Sequence, residues 1–132
     1  MSQANVEIIR RMYDAFARGD VEASLSCLDP EIEFSQPADE PGGGTYHGHE
    51  GVVRAFAAWT GAWDDYRVEV EELTGHGDSV LARTRHCGRG KGSGAEVEQQ
   101  IFQLWVLRDE RVVRATMFYD ESEAREATGL TD

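Results

Sequence analysis

The residues best suited to chemistry lie in the carboxyl-terminal half of the chain, near the ends of two apolar segments. Arg85 and His86 stand close to the end of one segment, and Tyr119 and Asp120 close the other. An arginine can bind a carboxylate or an enolate, and a histidine can transfer protons near neutral pH. A tyrosine or a carboxylic acid can transfer a proton to or from a reacting group. These four side chains are the catalytic candidates, although no recognisable catalytic motif joins them.

Three of the four candidates also have a structural interpretation. Arg83 and Arg85 are more simply explained as outer-face residues that pair with acids on neighbouring strands, because an unpaired buried charge is costly. A lone histidine in a strand, such as His86, is usually a hydrogen-bonded structural residue. Asp120 begins the run Asp-Glu-Ser-Glu before a short helical segment, which is typical of a helix cap.

The sequence predicts no metal and no other cofactor. His47 and His49 are spaced like ligands on a strand, but no recognisable motif supplies the acids that would complete a site. Residues 90–95 (GKGSGA) resemble a dinucleotide-binding fingerprint, which requires a strand before it and a helix after it. Here a strand follows, so these residues are interpreted as a flexible hairpin turn.

The elements that must position these side chains follow from apolar spacing. Two long segments rich in β-branched and aromatic residues flank the turn Arg108-Asp109-Glu110 and predict an antiparallel hairpin over residues 96–120. Helical spacing is found over 4–18, 21–28 and 50–63, and in a shorter segment over 122–127 that stops at Gly129. Strands are predicted over 31–36, 66–72 and 79–87, with a loop over 37–48. This order predicts one α+β domain spanning residues 1–132.

Charge and composition exclude several classes of partner. The 132 residues include 13 basic and 25 acidic side chains, a net charge of −12. Such a chain repels polyanions, so neither nucleic acid nor an anionic membrane is an expected partner. Cys27 and Cys87 have no metal or redox spacing, no signal-like segment is present, and no apolar stretch approaches the roughly 20 residues of a membrane span. The expected location is cytoplasmic.

Four segments carry a resemblance to a known family: RRMYDAFARGDVEASLSCLDPEIEFSQP, YHGHEGV, LWVLRDERVVR and FYDESEAREATGL. In this order they resemble the SnoaL-like and ketosteroid-isomerase-like branch of the nuclear transport factor 2-like superfamily. The resemblance implies a cystatin-like α+β fold, in which a cone-shaped, strongly curved mixed β-sheet wraps around three N-terminal helices and encloses an apolar pocket. It implies less about chemistry, because this fold serves isomerases, polyketide cyclases, epoxide hydrolases, dehydratases and non-catalytic binders.

The catalytic groups of a steroid isomerase of this family can be carried onto the chain one by one. They are a tyrosine, a carboxylate base and a protonated aspartic acid. Counted from Gly19-Asp20, from Pro37 and from the hairpin turn, these positions fall on Met12, Gln36 and Gln103, with Tyr13 one residue out of register. A glutamine cannot abstract a proton at neutral pH, so steroid-type isomerisation is not expected.

Polyketide cyclases and limonene-epoxide-type hydrolases of the family allow the same comparison. What the resemblance implies for both groups of enzymes is an acid at the position aligned with Met117 of this chain. The hydrolases add an arginine and a second aspartate, at the positions of Arg85 and Cys87. Only the arginine matches. Methionine and cysteine can neither activate water nor protonate an epoxide oxygen as those carboxylates do.

Two registers for the pocket lining are open at this point. The family register turns Arg83 and Arg85 inward, whereas alternation within residues 79–87 turns Thr84 and His86 inward. A β-bulge would reconcile the two. The residues expected to line the pocket are Met12, Phe16, Gln36, Trp59, Arg85, Gln103, Met117 and Tyr119.

Two functions of different classes fit this pattern. The first is a small-molecule-binding protein with an apolar pocket that lacks the mapped catalytic acids of the family. The alternative is a lyase, isomerase, cyclase or hydrolase that acts on a small apolar polycyclic, polyketide or terpenoid substrate through Arg85, His86 or Tyr119. The loss of every mapped acid favours the first function, with a small apolar ligand as the expected partner, since neutral amides orient a ligand well but catalyse little.

Apolar residues on the opposite face of the predicted hairpin indicate a homodimer. Phe102, Leu104, Val106 and Phe118 share this face. A sheet that is apolar on both faces needs a second cover, which a second copy of the chain would supply. A monomeric mass in dilute solution would contradict this prediction.

Overall fold

The computed structural model describes residues 2–36 and 44–128 of the chain. In chain order these residues form helices α1 (Ser2–Ala17) and α2 (Val21–Leu25), strands β1 (Leu28–Gln36) and β2 (Gly44–His47), helix α3 (Gly48–Thr60), strands β3 (Trp63–His76), β4 (Ser79–Gly90), β5 (Glu96–Arg108) and β6 (Arg111–Phe118), and helix α4 (Glu121–Thr128). The predicted α+β class is confirmed.

All six strands belong to one mixed sheet in the order β2-β1-β6-β5-β4-β3. Strand β1 runs parallel to β6 and antiparallel to β2, whereas β3, β4, β5 and β6 follow one another as an antiparallel meander. The sheet is curved and does not close, and helices α1 and α3 pack against it. This is the cone-like architecture that the sequence predicted.

The turn at Arg108-Asp109-Glu110 is a two-residue hairpin loop. Arg108 pairs with Arg111 across it, and Asp109 and Glu110 have φ angles of 53° and 68°. Two successive residues with positive φ are typical of a type I′ turn, whose twist matches that of the flanking strands. The turn therefore helps to set the register of β5 against β6.

The main core lies between the helices and the face of the sheet that they cover, which we name the inner face. Helix α1 supplies a stripe of buried residues at three- and four-residue spacing, as expected for an amphipathic helix. Helix α3 adds Val52 and Ala55, and the sheet contributes residues from β1, β4, β5 and β6. The α1 stripe consists of Asn5, Ile8, Ile9, Met12 and Ala15.

The connection between α1 and α2 explains how the second helix is placed beside the first. Gly19 adopts a φ of 77°, in the left-handed region that favours glycine after a helix end. Asp20 then caps α2, because its Oδ1 accepts a hydrogen bond from the Ala23 N–H at 3.1 Å. Leu28 already pairs with Val112 in the sheet, so α2 ends at Leu25 and not at the predicted residue 28.

Two other boundaries also differ from the sequence predictions. Strand β2 occupies residues 44–47, inside the predicted loop over 37–48, and residues 37–43 of that loop lie outside the described residues. Trp63 begins β3, whereas it was predicted to end α3. The predicted stop of the last helix, Gly129, lies outside the described residues.

Helix α4 packs on the opposite face of the sheet, which we name the outer face. Ala124 is fully buried and belongs to a cluster with Leu81 and Phe102, against which Phe118 packs. Two of the four apolar residues that indicated a homodimer, Phe102 and Phe118, thus belong to or pack against a cluster that includes a residue of the chain's own last helix. Dimerisation through the rest of the outer face stays a prediction.

Candidate functional site

The pairing of β4 with β5 decides which side chains face inward. Val80 lies opposite Trp105, Ala82 opposite Gln103 and Thr84 opposite Ile101, with no irregularity between the two strands. Paired residues share a face, so the even-numbered residues of β4 lie on the same face as the odd-numbered residues of β5. The structure therefore decides between the two registers that the sequence left open without a bulge between β4 and β5: Thr84, His86 and Gln103 belong to the inner face, and Arg83 and Arg85 to the outer face.

Arg85 lies on the outer face, among acids. Its Nη2 lies 2.6 Å from Glu71 Oε2, its Nη1 lies 3.6 Å from Glu98, and its side chain is 41% exposed. The hydrogen bond from Arg85 holds the pKa of the Glu71 carboxyl below its usual value. The prediction that Arg85 lines the pocket is wrong, because strand alternation turns this side chain to the face that carries the acids.

A cavity of about 280 Å³ lies between the inner face and helices α1, α2 and α3. Apart from His86, none of the described residues that line it is ionisable near neutral pH. Val21 and Val53 belong to the lining although they are 56% and 46% exposed, so the cavity opens to solvent between α2 and α3. The lining residues are Met12, Tyr13, Phe16, Val21, Ser24, Leu25, Leu28, Phe34, Val52, Val53, Phe56, Ala57, Val68, His86, Gln103 and Trp105.

Tyr13 links α1 to the sheet at one side of the cavity. Its hydroxyl oxygen accepts a hydrogen bond from Trp105 Nε1–H at 3.1 Å, and its proton is donated to Gln103 Oε1. The two rings meet edge to face, with centroids 5.9 Å apart. Because the tyrosine proton goes to Oε1, the orientation of the Gln103 amide is fixed by this network.

A second chain of hydrogen bonds runs through His86. Trp59 Nε1–H donates to the Tyr66 hydroxyl at 3.0 Å, and that hydroxyl is bonded to His86 Nδ1. On the other side, His86 Nε2 lies 3.0 Å from Thr84 Oγ1, whose proton goes to the Ile101 carbonyl at 2.8 Å. Thr84 Oγ1 can then only accept, so His86 Nε2 carries a proton, and in the neutral ring Nδ1 accepts from Tyr66.

Burial keeps these groups uncharged. Desolvation lowers the pKa of His86 from 6.5 to about 4 and raises the pKa values of Tyr13 and Tyr66 well above the usual tyrosine value. At neutral pH the cavity is therefore lined by neutral groups, and His86 has hydrogen-bond partners on both ring nitrogens. This arrangement holds a side-chain network rigid but leaves no available base.

The comparison with known proteins gives the family. The sequence model of the SnoaL-like domain family matches residues 9–115, which is most of the chain. The chain belongs to the SnoaL-like domain family. This SnoaL-like protein is also 26% identical to an uncharacterised protein of Mycobacterium tuberculosis over 94% of this chain and 95% of that one.

Solved structures agree on the fold of this SnoaL-like protein. An NTF2-like protein of Burkholderia thailandensis is 27% identical and superposes with a TM-score of 0.81, over 93% of this chain and 95% of that one. TerC, co-crystallised with polyporic acid, is 24% identical with a TM-score of 0.79, over 96% and 98% of the two chains. The predicted resemblance to the SnoaL-like and nuclear transport factor 2-like proteins is confirmed.

The other residues proposed for the site of the SnoaL-like protein are divided between three places. Met12, Phe16 and Gln103 line the cavity. Trp59 and Met117 form a separate small cluster with Ile101, against which Tyr119 packs. Gln36 is buried at the end of β1.

Asp120 lies outside the cavity at the start of α4. Its Oδ1 accepts hydrogen bonds from the Ser122 N–H at 2.7 Å and the Glu123 N–H at 3.4 Å. This is the helix cap that the sequence offered as the alternative.

Sequence reasoning assigned no role to Tyr13 or Tyr66, although both donate hydrogen bonds inside the protein. Tyr13 follows Met12 on α1, and counting from Gly19 selected Met12. Met12 and Tyr13 both line the cavity, but it is Tyr13 that reaches Gln103. Tyr66 belongs to the inward-facing residues of β3, which the alternation in the sequence predicted. Its hydrogen bond to His86 could not be predicted, because it depends on the pairing of β3 with β4.

Neither a metal site nor a membrane span is found within the described ranges. No group of three or more His, Cys, Asp or Glu residues in residues 2–36 and 44–128 is placed to hold a metal ion. His49 instead bonds to the Leu28 carbonyl at 2.9 Å through Nε2. None of the helices in these ranges is long and apolar enough to cross a membrane.

Proposed function

We propose that this SnoaL-like protein binds a small, apolar, uncharged molecule in the cavity between α1, α2, α3 and the inner face, and does not transform it. The observation that carries the proposal is the lining itself. It combines apolar and aromatic side chains with a few neutral polar groups, which is the usual composition of a small-molecule site. The rings of Phe16, Phe34 and Phe56 form a continuous wall, with centroid separations of 5.3 Å and 6.1 Å.

The state of the polar groups supports binding over catalysis. Proton transfer needs a group that can accept or release a proton near the working pH. His86 has a pKa of about 4, and its Nδ1 lone pair already accepts from Tyr66. The positions mapped onto Met12, Gln36, Gln103 and Met117 carry no carboxylate. A lyase, isomerase, cyclase or hydrolase at this site would have no acid or base of suitable pKa in the described lining.

The likeness to TerC supports ligand binding but not the charge of the ligand. That protein shares the fold over nearly the whole of both chains and was co-crystallised with polyporic acid. Because a fold alone does not fix a function, the proposal for this chain rests on its own cavity.

Thermal denaturation with a ligand panel tests the proposal. Neutral hydrocarbons and ketones are expected to raise the melting temperature by on the order of 10 °C at roughly 100 times their dissociation constant, since ligands of the native state stabilise it by mass action. Recovered ligand should be chemically unchanged by mass spectrometry. Arg85→Ala serves as the control, because its outer-face side chain should leave ligand affinity within about twofold.

Two results would contradict the proposal. If no neutral apolar compound in the panel raises the melting temperature, the cavity is not a binding site. If a product accumulates faster than in a sample without protein, the enzyme alternative holds.

A further inference from the structure

We infer that helix α2 is a movable wall of the cavity, which closes over a bound ligand by bringing Val21 against Val53 of α3. The moving segment consists of α2 and Ser26, residues 21–26, which we name the flap, and the structure shows it in the open form. This inference rests on the proposed function and adds the step that retains the ligand. Three observations support it: the exposure of the cavity mouth, the loose packing of the flap and its attachment at both ends.

Exposed apolar side chains are concentrated at the mouth of the cavity. Among the described residues three large apolar side chains are exposed, and two of them, Val21 and Val53, line the cavity. One belongs to α2 and the other to α3, on opposite sides of the opening, with exposures of 56% and 46%. Removing apolar surface from water is favourable. Contact between the two valines would therefore stabilise a closed form.

The flap packs loosely against the rest of the protein. None of the residues 17–26 is buried, in contrast to the stripe of α1. Among the described elements, α1 is the only one that packs extensively against α2, and Leu25 is the only flap residue that packs against the main core. Segments with few buried apolar contacts move at a low cost in free energy.

The hydrogen bonds of the flap lie within it or reach the residues at its ends. The Ala23 N–H donates to Asp20 Oδ1 at 3.1 Å, and Ser26 Oγ–H donates to the Ala23 carbonyl at 2.6 Å. The one described side-chain hydrogen bond from the flap to α1 runs from Ser24 Oγ to the Met12 carbonyl, and at 3.4 Å it is long for a hydroxyl donor. The flap can therefore move as a unit and keep its internal hydrogen bonds.

Both ends of the flap are anchored. Before it, the Asp20 N–H donates to the Ala15 carbonyl at 2.9 Å, and after it, the Cys27 carbonyl accepts from the Val112 N–H at 2.9 Å. Gly19 has a φ of 77°, and nothing lies within 4 Å of the place where a Cβ would stand. Residues of this kind at the ends of elements absorb the dihedral changes of a hinge. The flap thus has fixed ends and a permissive hinge at the first of them.

A ligand supplies the contacts that make closure favourable. The flap contributes Val21, Ser24 and Leu25 to the lining. Without a ligand, a closed flap would cover a void of about 280 Å³, and side chains that face a void lose their dispersion contacts. A ligand fills this space and packs against the same side chains. Closure is therefore coupled to binding, because the ligand makes more contacts in the closed form than in the open one.

Stopped-flow fluorescence with N-phenyl-1-naphthylamine, a neutral apolar probe, tests the closure. The probe should dissociate about fivefold faster from Val21→Ser and from Val53→Ser than from the wild type, as expected when about half of one valine side chain is no longer buried. Its association rate should change by less than about twofold, because the open form takes up the probe. Val97→Ser, at an exposed valine outside the lining, should match the wild type. Unchanged dissociation from both flap variants overturns the inference.

The double variant distinguishes contact between the two valines from two separate contacts with the probe. If Val21 and Val53 meet in the closed form, either substitution removes the same contact. Val21→Ser/Val53→Ser should then release the probe about as fast as either single variant. Effects that multiply, to about 25-fold, would show that each valine contacts the probe independently, and would overturn the closure.

Thiol labelling follows the position of the flap independently of the dissociation rates. The thiol introduced in Val21→Cys is exposed in the open form and should react readily with a maleimide. A saturating concentration of the probe should slow this reaction by at least about tenfold, the ratio expected when the closed form predominates. Peptide mass spectrometry distinguishes the new thiol from Cys27 and Cys87, and the thiol of Val97→Cys should react equally with and without the probe. Equal rates at position 21 overturn the inference.

Binding of the probe separates this inference from the proposed function. If the probe binds but neither its dissociation nor the thiol labelling responds to the flap variants, the cavity binds a ligand without closing. The inference then fails and the proposed function stands. If neither the probe nor any neutral compound of the panel binds, the proposed function is overturned and the flap with it.

Discussion

A Val52→Trp variant should bind a neutral apolar ligand at least about thirtyfold more weakly than the wild type, a loss of about 2 kcal/mol. Val52 lies on α3, is 2% exposed and lines the cavity, so an indole at this position takes up space that the ligand needs. Overpacking of this kind typically costs about 1–3 kcal/mol of folding free energy, which leaves an ordinary domain folded. Isothermal titration calorimetry measures the loss, and circular dichroism checks the fold.

Val97→Trp is the matched control. Val97 is 38% exposed on β5 and does not belong to the cavity lining. The same substitution there adds the same indole to the protein and should change the affinity by less than about twofold. If folded Val52→Trp binds as well as Val97→Trp, the ligand occupies another part of the molecule.

His86 should make the protein sensitive to mild acid. Its pKa is 6.5 in the unfolded chain and about 4 in the folded one, because burial disfavours the imidazolium. Below pH 6.5 the unfolded chain takes up this proton first, so the free energy of unfolding falls as the pH drops from 6.5 to 4. The contribution of His86 over this range is about 3 kcal/mol. Urea denaturation at pH 7, 5.5 and 4 measures it.

His86→Gln removes the titrating group and retains an acceptor for Tyr66 and a donor for Thr84. The loss of stability between pH 7 and pH 4 should therefore be smaller in the variant by about 3 kcal/mol, since the other acids contribute equally to both proteins. His76→Gln, at an exposed residue, should leave the pH dependence of the wild type intact. Identical pH dependence in His86→Gln and the wild type would show that the histidine is not buried in neutral form.

Local patterns in the sequence predicted most of the fold. The three- and four-residue stripe of α1, the alternation of β3 and the turn at Arg108-Asp109-Glu110 each depend on residues close together in the chain. Strand β2 escaped notice because it is four residues long and contains glycine and histidine. It forms only by pairing with β1, which local sequence does not reveal.

The candidate site was less predictable, because it depends on how elements face one another. Alternation within β4 identified Thr84 and His86 as inward-facing, but the register against β5 was needed to show that Gln103 lies on the same face. Counting along α1 gave Met12, whereas the orientation of the helix on the sheet brings Tyr13 to Gln103. The neutral state of His86 follows from its burial, and its partner Tyr66 lies 20 residues away in the chain, so neither could be read from the residues around His86.

Methyl NMR would locate the ligand most directly. In a protein labelled at leucine and valine methyl groups, a neutral ligand that raises the melting temperature should shift the signals of the cavity residues Leu25, Leu28, Val52 and Val68. The outer-face residues Leu81 and Leu104 act as internal controls and should stay unchanged. Shifts confined to the cavity residues are the result expected for a ligand-binding SnoaL-like protein. Shifts at Leu81 and Leu104 without shifts in the cavity would contradict the assignment of the cavity as the binding site.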